Sequence, residues 1–186
     1  VSSAESHLRD MPVDHPWLRP YQRDAIIAIE QAILAGKRAM LVAMATGTGK
    51  TLTTIDLIYR LMKSGTARRI LFLVDRRALA AQAVTAFANF EAEPGLKFDR
   101  IYEVYSQRFR PEDLEDEKFD PKVLPTSYLT NPDLSHAFVY VSTIQRMRIN
   151  LFGAPDDTPW VEDVEAELDA SRLDIPIHAF DLIIAD

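Results

Sequence analysis

The sequence has no cysteine among its 186 residues, which removes disulfides, thiol catalysis and every zinc site built on sulfur. Its four histidines, His7, His15, His136 and His178, are too scattered along the chain to suggest a metal cluster. No apolar run approaches the roughly 18 residues that a membrane span needs; the strand-like run Ile70–Val74 has five. No membrane association is expected. The opening residues, VSSAESHLRD, have neither a basic start nor an apolar stretch and lack an initiator Met. They do not form a signal peptide, and the chain is read as a fragment of a longer cytoplasmic protein. What is present is the composition of a soluble globular domain, with 47% apolar side chains and a length that suits one domain.

Net charge is −7, which taken globally argues against nucleic acid, but the charge is unevenly spread. Residues 1–105 carry 14 basic and 11 acidic side chains, whereas residues 106–186 carry seven and 17. The acidic excess is concentrated at Glu112–Asp120 and Asp156–Asp174. Phosphate contacts depend on where Lys and Arg cluster, so the net figure leaves a local groove open.

Short apolar runs alternate with segments of helical period, a pattern that predicts parallel strands joined by crossover helices. Strands are expected at Ala39–Met44, Ile70–Val74, Arg100–Tyr105, Phe138–Ser142 and Asp181–Ala185. Most lack polar alternation, as strands covered on both faces do. Helices are expected near Gln22–Ala35, Lys50–Lys63, Ala78–Phe90 and Ile144–Phe152. The first of these presents Ile26, Ile29 and Ile33 on one face, with Pro20 near its start and Gly36 just past its end. Residues 1–17 read as a linker, and 18–186 as one α/β domain with polar insertions near 106–137 and 153–178. Within the second insertion, Thr158 could cap an acidic helix, with Pro159 in its first turn and Glu162 and Asp163 at its positive end. The run Glu115-Asp116-Glu117-Lys118 has no strand pattern around it, so it reads as solvated surface and not as a nuclease motif.

The strongest chemical signal is Ala45-Thr46-Gly47-Thr48-Gly49-Lys50-Thr51, placed directly after an expected strand and directly before an amphipathic helix. That context is the one a P-loop requires. Glycines allow a tight turn that aims successive N–H groups inward, where they and the helix N-terminus meet a polyphosphate. Lys50 then reaches the β and γ phosphates and Thr51 offers a hydroxyl to Mg²⁺. The first glycine of the full motif is replaced by Met44, so the loop is a variant. A metal carboxylate is expected at the end of a neighbouring strand. Asp186, closing the run Leu182–Ala185, is the candidate, and Asp181 is taken as a solvated residue at the opposite end of that strand.

P-loops serve many reactions, and other segments narrow the choice. Leu18-Arg19-Pro20-Tyr21-Gln22 resembles the adenine-reading element of superfamily 2 helicases and translocases. A Gln amide can pair with both the N6 donor and the N7 acceptor of adenine. By that resemblance Gln22 reads the base and Arg19 lies against its face. Leu73-Val74-Asp75-Arg76-Arg77 puts two cations at a helix N-terminus, where they are electrostatically disfavoured. The compensating anion is either Asp75 or a nucleic-acid phosphate. Val141-Ser142-Thr143-Ile144-Gln145-Arg146 repeats the arrangement. In order, these segments resemble motifs Ia and Ib of superfamily 2.

The succession LRPYQ, ATGTGKT, LFLVDRRALAAQA, VSTIQRM, DLIIAD resembles the first RecA-like lobe of superfamily 2 motors, and is most similar to the motor subunit of type I restriction enzymes. The resemblance implies a mostly parallel sheet with helices on both faces, truncated at the Walker B strand. It implies ATP and Mg²⁺ as ligands, duplex DNA contacted by Arg76, Arg77, Thr143 and Gln145, and methyltransferase and specificity subunits as partners. A second lobe with an arginine finger and a separate nuclease domain belong to the complete subunit. Residues 1–186 alone are therefore expected to bind nucleotide weakly and hydrolyse little. In RecA-like sheets a further strand lies between the phosphate-loop strand and the metal-carboxylate strand, so a neighbour should be missing there. A repair helicase, a type III restriction motor and a nucleotide-gated module that never turns over are the competing readings.

Overall fold

The structure is a computed structural model describing residues 2–115, 118–154 and 170–186. Thr158, Pro159, Glu162 and Asp163 of the expected acidic helix, and Asp116 and Glu117 of the acidic run, lie outside the described residues. The chain divides into two compact units, Val1–Arg68 with Ala86–Ile101, and Arg69–Thr85 with Tyr102–Asp186.

The first unit is built on helices α1 (Ser3–Asp10), α2 (Pro20–Leu34) and α3 (Lys50–Ser64). It also holds the end of α4 (Arg77–Asn89), a hairpin of β2 (Glu91–Glu93) with β3 (Leu96–Lys97), and a short α5 (Phe98–Ile101). Leu8, Ile26, Ile55, Ile58, Leu61, Phe87 and Phe98 are among its fully buried apolar side chains. Residues 1–17 are more than a linker. Ser2 caps α1 by accepting from the Glu5 N–H at 3.2 Å, while the Glu5 carboxylate accepts from the Ser2 N–H at 2.9 Å. This reciprocal box satisfies two otherwise orphaned donors, and Leu8 anchors the helix, which packs on α3. Arg100 and Ile101, expected in a strand, belong to α5.

The second unit is a parallel sheet of β1 (Arg69–Val74), β4 (Glu103–Ser106), β5 (Lys122–Val123), β6 (Phe138–Thr143) and β7 (Leu182–Ala185) in the order β5-β4-β6-β1-β7. Every pairing in it is parallel. Strand β6 is buried along its whole length and β1 nearly so, which explains why neither alternates in sequence. Leu71, Tyr105, Phe138 and Tyr140 form a core with Leu124, with Leu129 of α6 (Thr126–Thr130) and with Met147 of α7 (Ile144–Phe152). The segment 106–137 is therefore not one loop. It begins at the end of β4, turns through a 3₁₀ segment at Pro111–Asp113, and contributes β5 and α6 to the unit.

One expected strand is absent. Residues 37–45 have no regular secondary structure and pair with no described strand, and Leu41 is 96% exposed. Apolar composition does not make a strand without a ladder partner, because the backbone N–H and C=O groups must be satisfied from a neighbour. β7 is the last strand of the described sheet on its side.

Candidate functional site

The phosphate loop is shaped by two left-handed glycines, Gly47 at φ +76° and Gly49 at φ +79°. Such a backbone is accessible to glycine at little cost and strained for other residues. Thr46 and Gly47 make the turn, and the Thr48 N–H closes it onto the Ala45 carbonyl at 3.3 Å. Gly49 then caps α3, whose first helical bond runs from the Thr53 N–H to the Gly49 carbonyl at 3.0 Å. The amides of residues 50–52 precede that bond, and no acidic side chain stands in the first turn. Lys50 and Thr51 are half-buried there, and a Cβ added at Gly47 would meet nothing within 4 Å. A positive helix end without its own carboxylate, beside open space, an ammonium and a hydroxyl, is a donor set that fits a polyphosphate with its magnesium.

The N-terminus of α2 clamps this loop. The Gln22 side-chain amide donates to the Thr48 carbonyl at 2.8 Å and the Gly49 carbonyl at 3.4 Å, and Tyr21 Oη donates to the Thr48 carbonyl at 2.9 Å. Gln22 Oε1 accepts from the Arg19 N–H at 2.8 Å, and the side chain is buried. The structure thus brings Arg19, Gln22 and the loop together, with the Gln22 amide engaged as a brace on the loop backbone. Pairing with a base requires it to exchange those bonds. A Cβ at Gly49 would lie 2.4 Å from Gln22 Nε2. Gly49→Ala is therefore expected to cost about 1–2 kcal/mol from the left-handed backbone alone, and more once Gln22 is displaced. Denaturant unfolding of this variant beside Gly36→Ala, which has the same backbone sign and no neighbour within 4 Å, isolates the Gln22 contribution.

The second cluster lies at the C-terminal edge of the parallel sheet, where ligands bind in open α/β folds. Strand register places the residues following β1, β6 and β7 on that one edge. Asp186 is exposed there, its N–H bonded to the Leu73 carbonyl at 2.9 Å. Asp181 sits at the other end of β7, as expected, but it is not simply solvated. It accepts from the Arg69 N–H at 3.0 Å and pairs with the buried Arg69 guanidinium at 3.2 Å.

The four expected DNA-contacting residues divide into two kinds. Arg76 is exposed, with only a 3.7 Å pair to exposed Asp75, and Gln145 is half-buried. Arg77 is buried in an ion pair with Asp113 of the 3₁₀ turn, whose carboxylate also accepts from the Arg110 N–H at 2.7 Å. The anion the structure places beside it is thus Asp113 and not Asp75. Thr143 is buried as the cap of α7, accepting from the Arg146 N–H at 3.1 Å. Sequence reasoning missed Gln107, whose buried Oε1 accepts from the Thr143 N–H at 2.9 Å and from the Thr143 and Ser142 hydroxyls at 3.2 and 3.4 Å. Its place became apparent only with the fold, in which Gln107 directly follows β4 at the C-terminal edge of the sheet.

Over residues 16–186 the chain matches the family described as type III restriction enzyme, res subunit. The chain belongs to this family. The chain is also similar to endonuclease subunits of type I restriction enzymes. It is 49% identical over 87 residues to the type I restriction enzyme EcoKI endonuclease subunit of Escherichia coli strain K12, covering 47% of this chain and 7% of that protein. It is 37% identical over 120 residues to the type I restriction enzyme EcoAI endonuclease subunit of Escherichia coli, covering 58% of this chain and 14% of that protein. The chain thus spans a small part of the length of these relatives. No solved structure matches it. The parallel α/β sheet and the family together establish the RecA-like class expected from the motif order. Among the described residues, no helix is long and apolar enough to cross a membrane.

Proposed function

We propose that this chain is the nucleotide-binding lobe of an ATP-driven double-stranded DNA translocase, the motor part of a type I restriction endonuclease. The observation that carries the reading is the loop of two left-handed glycines opening α3 and braced by Gln22, in a chain of the restriction family. The type I assignment is favoured over type III by the two relatives. In this reading Thr46, Gly47, Thr48 and Gly49 shape the cradle, Lys50 neutralises the β and γ phosphates, and Arg19 and Gln22 face the base. Thr51 and Asp186 are the proposed magnesium ligands. Magnesium supplies charge neutralisation on the phosphates being separated. Lys50 adds a fixed positive charge at the same place, and since phosphoryl transfer is mostly positioning and electrostatics, that is the protein's main contribution.

The DNA-facing edge then has Arg76 as its exposed phosphate contact, with Gln145 beside α7's start, while Arg77 and Thr143 hold the loops in shape from below. Methyltransferase and specificity subunits, a second lobe and a cytoplasmic setting complete the proposal. The experiment is ATP hydrolysis by the full-length protein with and without duplex DNA. Strong stimulation is expected, and a rate indifferent to duplex refutes the translocase. In the same system Arg76→Ala should weaken duplex binding uniformly across sequences. It should flatten the slope of log K against log[salt] by about 0.9, the value for one phosphate contact. An unchanged slope removes Arg76 from the interface.

A further inference from the structure

The first unit contains a cavity of about 580 Å³, bordered by the segment after α1, the C-terminal half of α3 and the β2–β3 hairpin. None of its lining residues belongs to the phosphate loop. A volume of this size suits a small organic ligand. On its wall stands Asp56, which is 3% exposed and makes no hydrogen bond or ion pair among the described residues. The arginine and the lysine on this wall are already committed. The Arg60 guanidinium holds Glu30 at 2.6 and 3.0 Å and donates to the Pro12 and Met11 carbonyls at 2.6 and 2.8 Å. The Lys63 ammonium holds Glu93 at 2.6 Å and Tyr59 Oη at 2.9 Å.

His15 is held away from Asp56: its Nδ1 accepts from the Trp17 N–H at 3.2 Å and its Nε2 lies 2.7 Å from the Glu91 carbonyl. Asp14, a second carboxylate on the wall, adds to the negative potential. Burial, opposed in part by His15 and Arg60 and reinforced by Glu30 and Asp14, pushes the Asp56 carboxyl up to about 6, which still leaves it mostly ionised at pH 7.5. An ionised carboxylate withdrawn from water without a partner is costly, and a cation brought beside it recovers much of that cost. Met11 and Pro16 give the same cavity an apolar lining suited to an alkyl stem. Nor is a metal ion the natural occupant, since no group of three or more metal-ligating side chains occurs among the described residues.

We infer that this cavity is a binding site for a small aliphatic ammonium compound, whose cationic end pairs with Asp56 and whose stem lies against Met11 and Pro16. The test is calorimetric titration of the full chain with putrescine at pH 7.5, with 1,4-butanediol as the uncharged analogue. Saturable binding of putrescine alone is expected, weakened at least tenfold in Asp56→Asn and more modestly in Asp14→Asn, an exposed position that does not endanger the fold. Affinity should also fall between pH 7.5 and pH 5 as the Asp56 carboxylate takes up its proton, His7, His15, Asp14, Glu91 and Glu93 being the other titratable side chains on the wall besides Tyr59, Arg60 and Lys63. The inference is overturned by an absence of saturable binding, by an equal response to potassium chloride at matched ionic strength, or by wild-type affinity in Asp56→Asn. If Asp56→Asn does not fold, an affinity that is unchanged both in Asp14→Asn and across that pH range overturns it equally.

Discussion

Lys50→Ala in the full-length protein is expected to lower ATP turnover by at least about 100-fold, the loss that follows removal of one fixed group stabilising transition-state charge in a water-poor site. Lys50 is the first residue of α3, directly after left-handed Gly49, so the loop backbone fixes where its side chain departs. Charge builds on the phosphoryl oxygens as transfer proceeds, and a cation placed there in advance needs no reorganisation. Lys50→Arg should rescue poorly, because a planar fork cannot occupy the place of a compact ammonium. Stability should scarcely change, since Lys50 is only half-buried, and this separates lost chemistry from lost fold. Duplex translocation should stop together with turnover. A translocation rate equal to that of the wild type eliminates the motor.

Arg60→Ala is expected to destabilise the protein by about 3–5 kcal/mol, the cost of leaving a buried charge without its partner. Arg60 and Glu30 side chains are 5% and 8% exposed, and their contact is bidentate, the geometry in which Arg binds carboxylate most tightly. The same guanidinium satisfies the carbonyls of Met11 and Pro12, so one substitution loosens α2 from α3 and frees the segment following α1. Denaturant unfolding should show the midpoint fall. Replacing both partners, Glu30→Leu with Arg60→Leu, should recover most of the loss on the α2–α3 side, because the two desolvation penalties leave together. A loss below about 1 kcal/mol for Arg60→Ala, the range of exposed pairs such as Arg76 with Asp75, contradicts the account.

The four principal helices were legible because the information that makes a helix is local. Apolar period, Pro20 at the start of α2 and Gly36 just past its end all act within one or two turns, and α7 occupies the expected Ile144–Phe152. The capping box of Ser2 and Glu5 was equally local, yet a helix with a single buried apolar residue, Leu8, leaves little periodic signal. The phosphate loop was legible for a related reason: its geometry follows from which residues tolerate a left-handed backbone. Gln107 and Asp113 were not legible, since their partners Thr143 and Arg77 lie 36 residues away in each case, and nothing in a polar segment says which of its side chains turns inward.

Residues 39–44 and 70–74 show where the boundary falls. Both are apolar runs followed by a turn and a helix, and the amino-acid order treats them alike. Ile70–Val74 became a strand because β6 and β7 supply hydrogen-bond partners on both sides, while 39–44 has none among the described residues. What the order of residues determined by itself was the helices, the loop glycines and the succession of motifs, each a matter of neighbours along the chain. Only the tertiary structure decided which runs paired, that Gln22 braces the loop, that Arg77 is spent on Asp113 and that Asp56 stands buried without a partner. Those outcomes depend on groups brought together from distant positions, and the energy that selects them is absent until the chain has folded.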